Sequence, residues 1–419
     1  MGFETFGLNR NLMAAVAAAG YTTPTPIQKQ AIPLVMQGRD VLGLAQTGTG
    51  KTAAFALPVL HRLLQVKPGP VRALVVAPTR ELAEQIHGEF QTLARGTRIR
   101  STAVYGGVGF NPQALAFKRG VEVVIACPGR LLDHLRQGTL DLAHVEVLVL
   151  DEADYLFDMG FLPDVRRIVG YLPSRRQNLL FSATMPAEIK RLAGEVLRDP
   201  ATCRIGADAP AHTVSHALYP VAQHLKTALL MELLIQVGSG PVLVFTRTKH
   251  RAKRLGEQLA KAGHRSASLQ GNLSQGRRQA ALDGFRSGRF QVLVATDIVA
   301  RGIDISKVSH VINYDVPSTP EAYIHRIGRT GRAGCSGAAL TLVTREDKSV
   351  VCSIDRVIGS PIERRTLKDF DYDRPASASA DVRPRTGRGS FPRRGELDAR
   401  AGRRGKAAGD RPKASAGRR

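Results

Sequence analysis

From residue 40 onward, short apolar runs alternate with longer stretches in which apolar positions recur every three or four residues. Runs such as DVLGLA, RALVVA, VEVVIA, VEVLVL and NLLFSA are too uniformly apolar for half-exposed strands, so they predict strands covered on both faces. Stretches such as TAAFALPVLHRLL and ELAEQIHGEFQTLA predict amphipathic helices between them. Such alternation belongs to a parallel sheet clothed by helices, with ligands expected at the carboxyl ends of the strands. At GADAPAHT, residues 206–213, the pattern breaks and predicts a linker; it restarts with PVLVFT, RSASLQ, FQVLVATD, HVINYDV and AALTLV. Two α/β domains follow, 1–205 and 214–373, with no sequence repeat between them. Near the start, LMAAVAAAG predicts a helix rather than a secretory leader, because Glu4 precedes it and the apolar stretch runs on into PTPIQ.

Residues 374–419 differ in character. They are poor in apolar side chains, and 375–419 carries 13 Lys or Arg against 4 Asp or Glu, a net of +9. A segment of that composition cannot bury enough surface to offset its ordering entropy, so it is expected to be a disordered basic arm suited to polyphosphate, with a simple spacer as the alternative. Across the whole chain 60 Lys or Arg stand against 36 Asp or Glu, giving +24, which points to nucleic acid as partner or, more blandly, to a solvated basic surface. Cys127, Cys203, Cys335 and Cys352 show no C-x-x-C spacing, so neither a zinc site nor a disulfide framework is indicated and a reduced, cytoplasmic protein is expected. No apolar run reaches the roughly 18 residues a membrane span needs, so no membrane is expected as a partner.

The chemistry-bearing residues fall in two places. Ala45-Gln46-Thr47-Gly48-Thr49-Gly50-Lys51-Thr52 joins the apolar run DVLGLA to a helix, where backbone N–H groups and a helix N-terminus can surround phosphates. Lys51 can reach the β- and γ-phosphates, and the Thr52 hydroxyl can bind magnesium; Ala45 stands where the strict pattern has Gly. Further on, the strand-like VEVLVL ends in Asp151-Glu152-Ala153-Asp154. Asp151 can hold the same magnesium, partly through water, and Glu152 can position or deprotonate the attacking water. Together the two segments predict an ATPase; a GTPase is disfavoured because no N-K-x-D guanine signature is present.

With PTPIQ at 24–28, PTRELA at 78–83, GG at 106–107, SAT at 182–184, RGID at 301–304 and HRIGRTGR at 325–332, the chain resembles the DEAD-box RNA helicases over roughly residues 1–370. Short flanks and a basic tail are similar to the bacterial RhlE-like branch. The resemblance implies two tandem RecA-like P-loop domains with ATP, Mg2+ and RNA bound across the cleft. It implies an adenine-reading segment at 3–28, with Gln28 making paired amide bonds to the base and Phe3, 17 residues before Gly20, stacking on it, packing being the alternative for Phe3. Thr47, Gly48, Thr49 and Gly50 join Lys51 and Thr52 around the nucleotide, and Asp304 is implied near its sugar. Asp154, Ser182, Thr184 and His325 are implied to couple hydrolysis to domain closure. Arg329 and Arg332 are implied to act as arginine fingers on the γ-phosphate, with Arg326 bracing the motif.

For RNA the resemblance implies sugar-phosphate contacts from Thr79, Arg80, Gly107, Gly129 and Arg130 in the first domain and Thr246, Arg247, Gly271 and Thr296 in the second. Hydroxyls, guanidinium groups and bare backbone read phosphate and 2′-hydroxyl rather than bases, so little sequence specificity is expected. Cys127 replaces the usual Thr before PGR, and Gln270 and Asn272 replace the usual His and Asp around Gly271. The activity expected is ATP-dependent unwinding or remodelling of structured RNA, with ribosome precursors or RNA-decay machinery as candidate partners. An RNA chaperone whose ATP cycle only gates release, and a DNA-translocating helicase, are the alternatives.

Overall fold

The apolar runs pair with one another in two sheets. The structure is a computed structural model and describes residues 2–46, 48–205, 214–297, 308–331 and 337–375. Thr47, the predicted linker at 206–213, Asp304, Arg332, Cys335 and the basic tail from 376 lie outside the described residues. In the first sheet β1 (Val41–Leu44), β2 (Ala73–Val76), β3 (Ser101–Val104), β4 (Val123–Ala126), β5 (Val147–Leu150), β6 (Gln177–Ser182) and β7 (Ala201–Arg204) lie in the order β3-β4-β2-β5-β6-β1-β7. In the second, β8 (Val214–Pro220), β9 (Val242–Phe245), β10 (Ser266–Leu269), β11 (Val292–Ala295), β12 (His310–Asn313) and β13 (Gly337–Val343) lie in the order β10-β11-β9-β12-β13-β8. Every pairing is parallel. Counted from its own first strand, the second sheet reads 3-4-2-5-6-1, the order of the first without β7. The halves thus repeat a topology although they repeat no sequence.

Strands β2, β4, β5, β9 and β11 are buried along their whole length, which is why their sequences are near-continuous Val, Leu, Ile and Ala. On one face of the first sheet Phe55 packs against Phe90 and Phe181, with ring centroids 6.2 and 5.4 Å away. Leu131, Leu148, Leu156 and Ile189 belong to the core on its other face. Burying a ring such as Phe55 stabilises by about 1.5–3 kcal/mol relative to leaving it in water.

The four edge strands, β3, β7, β8 and β10, have no uninterrupted apolar run to announce them. With one flank unpaired and part of the face open, alternating or mixed residues suffice there. The predicted helix at LMAAVAAAG forms as Arg10–Ala18, and its apolar face, Leu12, Ala15 and Val16, is buried. Among the described residues no helix is long and apolar enough to cross a membrane.

The sheet order places the site. Because β5, β6 and β1 are neighbours, Asp151 after β5, Ser182 at the end of β6 and Ala45 after β1 open on one edge, and the Ala45 N–H donates to the Ser182 carbonyl at 3.1 Å. The carboxyl ends of β3, β4 and β2 lead instead to Gly107, Gly129–Arg130 and Thr79–Arg80, so the two sets of candidates separate along the same edge.

Candidate active site and RNA-contact residues

Helix Lys51–Leu64 begins at the lysine itself, after a turn in which Thr49 Oγ1 donates to the Gln46 carbonyl at 2.7 Å. Gly50 caps that helix at φ +90°, a left-handed conformation that favours glycine. A Cβ there would also fall 2.5 Å from Gln28 Nε2. Gln28 is buried, its Oε1 accepting from the Thr25 N–H at 2.9 Å and its Nε2 donating to the Gly50 carbonyl at 3.1 Å. An amide has two donor hydrogens and two acceptor sites, so one of each is left over for a base. Phe3 is 1% exposed, packed edge-on against Phe6 at 5.9 Å and beside Tyr21 at 6.1 Å. Such a ring supports the pocket wall; it would have to swing outward to stack on adenine.

Lys51 is 5% exposed and its Nζ, fully buried, has no hydrogen-bond partner. An ammonium group in that state is costly unless an anion completes it. Asp151 is equally enclosed: burial pushes its carboxyl up to about 6, against the pull of the Lys51 charge. The Glu152 N–H donates to Asp151 Oδ1 at 2.9 Å, and Glu152 itself holds φ +49°, a strained position for a residue with a side chain. A lone buried ammonium, a glycine-lined turn at a helix N-terminus and a carboxylate together fit a triphosphate with a divalent cation.

Asp154 gathers the residues expected to couple hydrolysis to closure. Its Oδ2 accepts from both the backbone N–H and the hydroxyl of Thr184, each at 2.9 Å, and lies 4.0 Å from His325 Nε2. Its own N–H donates to Ser182 Oγ at 3.2 Å, and that hydroxyl donates to the Thr184 carbonyl at 2.7 Å. The predicted quartet is therefore one cluster, and it includes a residue from each half of the chain.

Helix Pro320–Ile327 supplies His325 and Arg326. Arg326 grips Asp297 through Nε and Nη2 at 2.6 and 2.7 Å, donates to Asn313 Oδ1 at 3.1 Å and lies over the Phe245 ring, so it braces rather than reaches outward. Arg329 is buried and its Nε donates to the His325 carbonyl at 3.3 Å. A second link between the halves was not singled out from sequence: Arg278 Nη2 meets Glu81 Oε1 at 2.7 Å, both side chains almost wholly buried. Glu81 lies within PTRELA, but the spacing of Arg278 carries no pattern that elementary chemistry would pick out.

Of the RNA candidates, Thr79 N-caps helix Arg80–Leu93 by accepting from the Leu82 N–H at 3.3 Å. The Arg80 guanidinium lies where a Cβ on Gly107 would be, and Gly107 sits at φ +83°. Arg130 Nη1 donates to the Val108 carbonyl at 3.1 Å, so both arginines converge on the Gly106–Gly107 turn. Gly129 and Gly271 face open space. Arg247 is exposed while its N–H donates to the buried Asp315 at 2.8 Å. Thr246 is fully buried and Thr296 nearly so, leaving no hydroxyl of Thr246 at the surface. Cys127 precedes helix Pro128–Arg136 without a side-chain cap bond, and burial pushes its thiol up to about 12. Gln270 is buried and its Oε1 accepts from the Asn272 N–H at 2.7 Å, so the replaced pair holds its own turn.

A family model described as DEAD/DEAH box helicase matches residues 25–192, and one described as helicase conserved C-terminal domain matches 225–334. The DEAD-box ATP-dependent RNA helicase RhpA of Helicobacter pylori (strain B128) is 46% identical over 362 residues, 86% of this chain and 73% of that protein. The chain belongs to the DEAD-box ATP-dependent RNA helicases. The helicase is likewise 42% identical to CshA of Geobacillus kaustophilus over 370 residues, 88% of this chain and 79% of that one. Among solved structures, S. cerevisiae Dbp5 bound to RNA and ADP BeF3 is similar at a TM-score of 0.77 and 32% identity, over 87% of this chain and 94% of that one. The helicase accordingly hydrolyses ATP and acts on RNA through two RecA-like halves.

Proposed function

We propose that RNA and ATP drive one closure of the two halves and that the residues gathered around Lys51 and Asp154 convert that closure into hydrolysis. The observation that carries the reading is the buried, unpartnered Lys51 Nζ on the same strand edge as Asp154, which is already within 4.0 Å of His325 from the other half. ATP, when bound, supplies the phosphoryl group to be transferred. Lys51 and the turn Thr47–Gly50 hold its phosphates, Gln28 the base, and Asp304 the sugar. Magnesium would be held by Thr52, Asp151 and phosphate oxygens rather than by a protein cage. Glu152 takes the proton of the attacking water, and Arg329 and Arg332 neutralise charge on the γ-phosphate only when the halves are closed.

RNA binds through phosphate and 2′-hydroxyl contacts from the Thr79, Arg80, Gly107, Gly129 and Arg130 group, with Arg247, Gly271 and Thr296 from the second half, while Thr246, whose hydroxyl is buried and donates to the Thr248 carbonyl, supports that edge from within. The basic tail adds a diffuse anchor. The setting is the cytoplasm, with ribosome precursors or RNA-decay assemblies as partners. Steady-state ATP hydrolysis measured without RNA and with single- and double-stranded RNA tests the reading: stimulation by RNA is expected, and equal rates in all three would overturn it.

A further inference from the structure

Behind Arg130 lies a buried polar cluster that the helicase motifs do not use. His134, in the last turn of helix Pro128–Arg136, is 0% exposed, stacked on Phe110 with ring centroids 4.0 Å apart and meeting Phe117 edge-on at 5.0 Å. Its Nε2 lies 3.1 Å from Gln113 Oε1 and its Nδ1 2.8 Å from Thr139 Oγ1. An amide oxygen can only accept, so Nε2 carries the proton and the Thr139 hydroxyl donates to Nδ1. Burial first, and the Arg130 charge second, push this imidazole down to about 4, so the neutral form is present at pH 7.

Gln113 is buried too, and its orientation is forced. Its Nε2 donates to the Tyr105 carbonyl at 2.9 Å, and its Oε1 accepts from Arg130 Nη1 at 3.4 Å as well as from His134. Flipping the amide would set donor against guanidinium and acceptor against carbonyl. Arg130 also donates to the Val108 carbonyl and lies over the Phe110 ring at 5.8 Å. Tyr105 and Val108 flank the Gly106–Gly107 turn. One imidazole N–H therefore fixes an amide whose oxygen accepts from an arginine and whose N–H holds the Tyr105 carbonyl beside the turn.

We propose that His134 is a positioning residue for RNA binding: by pinning Gln113 it holds the Arg130 guanidinium and the Gly106–Gly107 turn in the arrangement that RNA meets, without touching RNA. This rests on the reading of Arg130 as a backbone contact. A guanidinium already held in its bound arrangement loses less rotamer freedom on binding, an advantage of about 3- to 10-fold in affinity.

The test uses the full chain and reads two quantities, the RNA concentration giving half-maximal ATPase stimulation and the maximal rate. His134→Phe keeps a ring on Phe110 but loses the N–H; it should raise the half-maximal RNA concentration by about 3- to 10-fold, with the maximal rate and the KM for ATP within about twofold. His134→Gln, which returns an N–H donor, should recover most of the loss. In an Arg130→Ala background, His134→Phe should add nothing, whereas a general loosening of the domain would add in full. Wild-type RNA affinity in His134→Phe beside weakened Arg130→Ala would overturn the positioning role alone. Unchanged affinity in Arg130→Ala would remove the underlying contact and the proposal with it. Should His134→Phe fail to fold, Gln113→Ala breaks the same link and is held to the same outcomes.

Discussion

The side-chain amide of Gln28 donates to the carbonyl oxygen of Gly50 at 3.1 Å, so the residue assigned to the nucleobase also holds the last residue of the phosphate-binding turn. In the proposed site, base recognition and phosphate geometry therefore share one side chain. Gln28→Ala should raise the KM for ATP about tenfold, since a buried carbonyl loses its donor as the base loses its contacts. The preference for ATP over GTP should narrow in the same variant. Competition between the two nucleotides in steady-state assays reads both effects, and an unchanged preference would mean the base is read elsewhere.

Glu152 occupies its strained turn at the end of β5 with its N–H on Asp151. Gln keeps the shape and loses the proton acceptor. Glu152→Gln is expected to bind ATP and RNA within a few-fold of the parent while turnover falls by about 100-fold or more. Filter binding alongside phosphate release separates the two; normal turnover would assign the base to another residue.

The Glu81–Arg278 pair joins the halves through side chains that are nearly sealed from water. Removing one partner of such a pair strands the other, at about 3–5 kcal/mol for a fully buried case. Arg278→Ala and Glu81→Ala should each weaken RNA stimulation strongly. The exchange Arg278→Glu with Glu81→Arg should recover part of it. Loss in the double exchange equal to the sum of the singles would show that the pair does not act as a unit.

The fold was legible wherever burial on both faces forced apolar runs, as in VEVLVL and PVLVFT, and was silent at the edges β3, β7 and β8, where half the constraint is missing. At the site, residues that must meet phosphate are constrained in type and spacing, so Lys51, Asp151 and the Asp154 cluster stood out and the structure brings the latter together. Glu81–Arg278 and Gln113–His134 are pairs made by the fold across long stretches of chain. Either residue alone reads as an ordinary helix position. Phe3 shows the opposite case: a motif position whose ring the core has claimed.

His134 adds a pH dependence of known sign. Its imidazole titrates near 4 in the folded chain and near 6.5 when unfolded. Between those values the unfolded chain binds the extra proton, so stability declines as pH falls through that window, by about 2 kcal/mol at pH 5 relative to pH 7. Urea midpoints at the two pH values should therefore converge in His134→Gln. A variant whose midpoints shift with pH as much as the parent's would show that other groups carry the effect.

Deleting 375–419 removes a net charge of +9. RNA affinity should weaken and its dependence on salt should flatten, because fewer counterions are released on binding. Maximal turnover at saturating RNA should stay near that of the full chain, since every residue assigned to chemistry precedes 333. Titrations across a salt series decide it: an unchanged slope would reduce the segment to a spacer, and a lost maximal rate would give it a part in closure.

Among the described residues all strands of the first sheet precede residue 205 and all strands of the second follow 213, so no strand pairing described there waits on chain from the other half. On the ribosome the first sheet can therefore be finished while the second is still being made. It is finished late, however: β1, near the start of the chain, has β7 as one of its two neighbours, and until Arg204 emerges the strand that carries the phosphate-binding turn has one bare edge. A nascent chain stalled between β6 and β7 would expose that edge to pairing with another chain.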